Sequence, residues 1–259
     1  MTAPSTTNTT SPAGRSGYLA TPVPTPDRPG PWPGVVLVHD LLGLGDDMRE
    51  QADWLAAAGY VVTIPDLFGG RSAVRCVRGM FAQLTAQRGP AFDRIDAART
   101  ALAASPDCTG TVGVIGYCMG GGFALVLAGR PGWSASSVNY GMVPDDIATI
   151  LAGACPVVAS FGGKDRSLSG AADRLRTAAD AAGTTADIKE YPQARHGFIN
   201  RITGVSPLTP LLRVGGVGYD HDAAADAKRR ILAFFEIHLR AAPAGATTAP
   251  ADATVTGAD

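Results

Sequence analysis

From about residue 35 to residue 239, short apolar runs alternate with stretches whose apolar residues recur every three or four positions. An apolar run of four to eight residues bounded by turn residues reads as a buried strand, and a 3.6-residue recurrence reads as an amphipathic helix. On that rule residues 35–38 form a strand and 48–58 a helix, with Met48, Gln51, Leu55 and Ala58 along one face. Gly59 is the stop signal of that helix, and 60–64 is the next strand. A helix at 92–104 follows, with Phe92, Ile95, Arg99 and Leu102 to one side. A strand at 111–115 leads into a helix at 121–128, a strand at 156–161 into a helix at 170–182, and a strand at 186–191 into a loop. The last helix, 223–239, carries Lys228, Ile231, Phe235 and His238 roughly on one face.

Strand and helix in alternation predict an α/β protein: right-handed parallel units with helices on both faces of a mostly parallel sheet. Residues 1–16 and 241–259 are small and polar with almost no large apolar residue, and they read as disordered tails. Residues 17–240 are left as one domain. The connection 197–222 is long, rich in glycine and without regular pattern, which reads as a functional loop or flap.

Composition narrows the function. The 259 residues are 46% hydrophobic and 17% charged, with a net charge of −1, and no basic stripe is present. Nucleic acid and anionic membranes are poor partners for such a chain. No apolar run approaches the ~20 residues of a membrane span. The N-terminus lacks the charged and apolar regions of a signal peptide. Cys76, Cys108, Cys118 and Cys155 are scattered with no CxxC pair, which argues against structural zinc and a disulfide framework and for a reducing cytoplasm.

One cysteine stands apart. In Gly116-Tyr117-Cys118-Met119-Gly120 an apolar run meets a thiol with glycines two residues away on either side, and a helix-forming segment follows. This is the spacing of a nucleophile elbow, a strained strand-to-helix turn at which a Cβ two residues away would collide. The turn lifts the nucleophile clear of the sheet and leaves the next backbone N–H at a helix N-terminus, where it can bind developing negative charge. A thiol needs a base, and the base needs a partner that holds its tautomer. In chain order the candidates are Cys118, then Asp165 in Gly-Gly-Lys-Asp, then His196 in Arg-His-Gly-Phe. Nucleophile, acid, histidine is the order of α/β-hydrolases. Cys118, Asp165, His196 and Asp40 all fall just past predicted strands, where open α/β sheets build their sites. The plainer readings of these residues are a core thiol, a turn-closing aspartate and a satisfied loop histidine. His39, His221 and His238 lie upstream of the elbow, near a helix start and in the last helix.

At these motifs the chain resembles the dienelactone hydrolase (carboxymethylenebutenolidase) family. Gly-Tyr-Cys-Met-Gly-Gly, Gly-Lys-Asp and His-Gly-Phe carry the resemblance, which extends from Gly17-Tyr18-Leu19-Ala20-Thr21-Pro22 to Ala233-Phe234-Phe235. It implies an α/β-hydrolase fold, no metal and no cofactor, and a Cys118–His196–Asp165 triad that cleaves a small-molecule ester or lactone through a thioester. It also implies an oxyanion hole of the Leu41 and Met119 N–H groups, and a monomer. Two positions depart from the family. Its founding enzymes place a glutamate after the first long strand, where it engages the resting thiol; here Asp40, one methylene shorter, is the thiol-modulating candidate. They also hold a substrate carboxylate with arginines, for which Arg71 and Arg201 are the rough candidates. Other readings share these residues: acyl transfer by the same triad, a catalytically silent small-molecule binder or partner protein of the same fold, and an amidotransferase-like or peptidase-like enzyme. The last lacks its H-x-E motif here.

Overall fold

Neighbouring residues of the strand Trp32–Val38 bury their side chains in two different cores. Val36 and Val38 join one cluster with Phe92, Phe123 and Leu175, while Val35 and Leu37 join another with Met48, Ile231 and Phe235. A strand alternates its side chains between two faces. When both faces are covered by helices the alternation disappears from the sequence and a continuous apolar run remains.

The computed structural model describes residues 4–10, 16–71, 73–201 and 216–240. The strands are β1 (Ser5–Thr10), β2 (Ser16–Thr21), β3 (Trp32–Val38), β4 (Val61–Pro65), β5 (Cys108–Tyr117), β6 (Ser136–Asn139), β7 (Val157–Gly162) and β8 (Ala186–Tyr191). The helices are α1 (Asp46–Ala57), α2 (Ala73–Ala86), α3 (Pro90–Ala103), α4 (Met119–Ala128), α5 (Ile147–Leu151), α6 (Ala171–Ala182) and α7 (His221–Phe235); α7 runs on into a π turn, Glu236–Arg240. The sheet order is β1-β2-β4-β3-β5-β6-β7-β8. The six strands from β4 to β8 are mutually parallel, β2 runs antiparallel to β4, and β1 runs antiparallel to β2. Helices α1 and α7 cover one face, and α2 to α6 the other. Among the described residues no helix is long and apolar enough to cross a membrane.

All ten strands and helices expected from the sequence are present, with ends displaced by a few residues. Several elements were not legible. β6 is Ser-Ser-Val-Asn, fully buried yet mostly polar, so no apolar run marks it. Two of its side chains donate inside the sheet: Ser136 Oγ to the Ala124 carbonyl at 2.8 Å and Asn139 Nδ2 to the Gly116 carbonyl at 3.2 Å. α2 carries Cys76, Met80 and Leu84 at helical spacing, with Met80 and Leu84 buried, a signal present in the sequence but set among exposed polar residues. At the N-terminus, Ser5–Thr10 pairs with β2, which corrects the expectation of disorder across that stretch. Backbone hydrogen bonds to an open sheet edge need no apolar side chains. The expected C-terminal tail, 241–259, lies outside the described residues.

The tightest packing lies where α4 meets the sheet. All ten residues of α4 are buried. A Cβ on Gly116 would lie 2.0 Å from the Gly120 carbonyl oxygen, and one on Gly120 would lie 2.1 Å from the Val38 carbonyl oxygen. Backbone cannot yield as a flexible side chain can. Gly120→Ala is expected to cost about 3 kcal/mol by overpacking and to lower Tm by roughly 6–12 °C, measured by thermal denaturation; an unchanged Tm would contradict this packing.

Candidate active site

The end of β5 delivers Cys118 into a backbone that non-glycine residues rarely adopt. Its φ is 55° and ψ −118°, a conformation that costs on the order of 1–3 kcal/mol unless its surroundings over-determine it. They do so here. The Cys118 N–H is held by the Asn139 carbonyl at 3.0 Å, and its own carbonyl accepts from the Gly121 and Gly122 N–H groups of α4. Cys118 is half-buried. Met119 is the first residue of α4, so its N–H belongs to the turn that has no intrahelical acceptor.

His39 shapes the loop after β3. The residue is fully buried. Its Nε2 accepts from the Leu67 N–H at 3.1 Å, so Nδ1 carries the proton and donates to the Asp40 carbonyl at 2.8 Å. Burial lowers its pKa, against the Asp40 carbonyl, so the ring stays neutral. The loop is thus tied to the end of β4. Asp40 Oδ1 accepts from the Leu42 N–H at 2.8 Å, which curls the chain around Leu41. Burial, then the charge of Asp47, pushes the Asp40 carboxyl up to about 7.

Asp165 and His196 come from the loops after β7 and β8. Two backbone bonds stitch those loops together, Gly163 N–H to Tyr191 at 2.8 Å and Lys164 N–H to Ala194 at 2.9 Å. Asp165 closes a turn and serves the histidine at once. Its Oδ1 accepts from the Ser167 N–H at 3.0 Å and hydroxyl at 2.5 Å, and its Oδ2 accepts from His196 Nδ1 at 2.5 Å. The Cys118 thiol and the ring line the same cleft. Burial opposes charge on His196, but Asp165 and Cys118 outweigh it and push the imidazole up to about 10. Burial likewise opposes charge on Asp165, yet the His196 and Ser167 hydrogen bonds leave its carboxyl below the ordinary range.

Asp40, Cys118, Tyr140, Asp165 and His196 therefore follow β3, β5, β6, β7 and β8, five successive strands of the sheet. The cleft between them is lined by Asp40, Leu41, Leu42, Cys118, Tyr140 and His196. Gly197, Asn200 and Val217 close one side, where the chain returns and Gly218 N–H bonds the His196 carbonyl at 3.0 Å. Most of the expected flap, residues 202–215, lies outside the described residues.

The two arginines read as carboxylate clamps do not reach this cleft. Arg71 is exposed and its Nε turns back to the Phe68 carbonyl at 3.3 Å. Arg201 is exposed and stacks on Tyr219, its guanidinium carbon 4.5 Å from the ring centroid. Each finds a partner within its own loop before it can point inward. Two further lining residues, Tyr140 and Asn200, carry no signal in the sequence. Tyr140 follows the polar strand β6, which carries no recognisable pattern, and Asn200 stands four residues past the histidine in a segment without regular period.

An open, mostly parallel sheet with a strained strand-to-helix turn at its centre defines the α/β-hydrolase class. The dienelactone hydrolase family model matches residues 16–239, and the chain belongs to that family. A carboxymethylenebutenolidase of Rhodococcus opacus is 30% identical over 220 residues, covering 79% of this chain and 81% of that one. A relative from Methylorubrum extorquens is 28% identical over 192 residues, of whose length the chain spans 65%. The crystal structure of a dienelactone hydrolase from Anabaena variabilis superposes with a TM-score of 0.66 at 21% identity, over 92% of this chain and all of that one, and shows the shared fold.

The His196–Asp165 pair also bears on stability. The histidine's pKa is raised in the fold, so its contribution is fully present below its unfolded value of 6.5 and is lost as pH rises toward about 10. The aspartate's is lowered, so its contribution is present above 3.8 and lost in stronger acid. The Tm advantage over Asp165→Asn should be widest near about pH 5 and shrink steadily toward about pH 10. Thermal melts across pH check this; an advantage that grows with pH would contradict the pairing.

Proposed function

We propose that the chain is a thiol-dependent hydrolase of esters or lactones. The observation that carries this reading is the elbow sulfur lining one cleft with a histidine that a buried aspartate holds by Nδ1. Cys118 attacks the substrate carbonyl as the thiolate, with the proton on His196 and Asp165 fixing the ring. The Leu41 and Met119 N–H groups receive the oxyanion; one such donor is worth ~10²–10³ in rate. His196 protonates the departing alkoxide, leaving an acyl thioester on Cys118. A water molecule, deprotonated by His196, then releases the acid and restores the thiol. The carboxymethylenebutenolidase relatives support the substrate class. Cys118→Ala and His196→Ala should each reduce turnover of 4-nitrophenyl esters and small lactones by at least ~10³; activity retained in both variants would remove the mechanism and leave a silent binder.

Asp40 is proposed to modulate the thiol. It faces Cys118, His196 and Tyr140 in the cleft, with Asp47 behind it. Above about 7 it becomes an anion beside the place where the oxyanion forms, and the repulsion opposes attack. The ratio of kcat/KM for Asp40→Asn over the unaltered protein should therefore rise as pH passes through about 7. A ratio that stays flat from pH 5.5 to 8.5 would dismiss this role.

A further inference from the structure

Two residues that line the cleft each carry a buried polar atom with no hydrogen-bond partner: the Tyr140 hydroxyl and the Asn200 carboxamide oxygen. Both residues are buried, at 1% and 4% exposure. Buried polar groups are nearly always paired, and an orphan carries a desolvation penalty that calls for a reason.

Tyr140 is also held in a conformation that costs free energy. Its φ is 41°, in the left-handed region, and its N–H donates to the Ser160 carbonyl at 2.7 Å. Its ring is gripped edge-on by His196 and Phe198, at centroid distances of 5.2 and 5.6 Å. A strained residue whose position is over-determined and whose one polar atom is left unpaired is a mark of functional sites. Burial, then Tyr117 and Asp40, holds the phenol well above its usual range, so it keeps its proton and is a donor. Asn200 is set by the turn that bonds its N–H to the Gly197 carbonyl at 3.1 Å, and the orphan it presents is an acceptor.

We propose that Tyr140 and Asn200 form a recess that reads a hydroxyl on the acyl part of the substrate, so that hydroxy-substituted esters and lactones are the preferred class. A hydroxyl is both donor and acceptor. It donates to the Asn200 oxygen, accepts from the Tyr140 hydroxyl, and satisfies both orphans at once. An ionised carboxylate only accepts; it would face the Asn200 oxygen and Asp40, while Arg71 and Arg201 are engaged elsewhere. An alkyl group would leave both orphans unpaired. The inference rests on the hydrolase reading above and adds the substrate class to it.

The test is kcat/KM on three esters of one leaving group: 4-nitrophenyl butyrate, 4-nitrophenyl 3-hydroxybutyrate and mono-4-nitrophenyl succinate. The hydroxylated ester should exceed the plain one by about tenfold or more, because a site built to bond a hydroxyl rejects its deoxy analogue, and the succinate should be poorest. In Tyr140→Phe and Asn200→Leu that ratio should fall toward one. Tyr140→Phe should also raise Tm by a few degrees, since it removes a buried unpaired hydroxyl without altering the ring; a purely structural tyrosine would lose stability instead. Equal rates for the plain and hydroxylated esters, a ratio unchanged in both variants, a preference for the succinate, or a lower Tm for Tyr140→Phe would each overturn the proposal. Turnover of the plain ester without selectivity leaves the hydrolase reading standing and removes this one, whereas turnover of none of the three removes both.

Discussion

A single backbone bend at Cys118 organises this molecule. The residue sits in a disfavoured conformation because the chain must pass from a central strand into a buried helix with no intervening loop. That passage requires bare backbone at Gly116 and Gly120, whose missing side chains would otherwise strike carbonyl oxygens. The first turn of α4 can then press against the end of β3, and the Leu41 loop and the Met119 N–H become neighbours of the sulfur. Strain at one residue is held by close packing at several others.

The remaining parts of the site are supplied by loops that restrain one another. His39, neutral and buried, ties the loop after β3 to the end of β4. Gly163 and Lys164 tie the loop after β7 to the loop after β8. Asp165 is fixed by its own turn before it meets His196. Asp165, His196 and the Leu41 loop are thereby placed by backbone hydrogen bonds, so their geometry is preorganised rather than assembled on binding. The same cleft is lined by residues whose features the proposed hydrolytic chemistry leaves unexplained: an aspartate with a raised pKa, and two residues with buried polar atoms that lack partners.

Much of this was legible in the chain. The elbow glycines, the order of Cys118, Asp165 and His196, and their common position after strands follow from steric and topological rules that act locally. The arginines illustrate the opposite case. Arg71 and Arg201 have the right chemistry in the right neighbourhood, but the direction of a long exposed side chain is decided by its nearest partner, here the Phe68 carbonyl and the Tyr219 ring. β6 was hidden because its buried polar side chains bond to backbone from α4 and β5, contacts that no periodicity records.

Periodicity, glycine sterics and strand-end placement are properties of short segments, so the alternating architecture, the bend and the residues available to chemistry are already written in the chain. Which charges meet is fixed only by the folded arrangement. The raised pKa of Asp40 depends on burial and on Asp47 across a turn, the pairing of Asp165 with His196 depends on two loops stitched together, and the unpaired hydrogen-bonding capacity of the buried Tyr140 and Asn200 depends on which neighbours the fold withholds. Electrostatics and polar pairing act through space over a few ångströms, and which groups come within that range is set only when the chain has closed on itself.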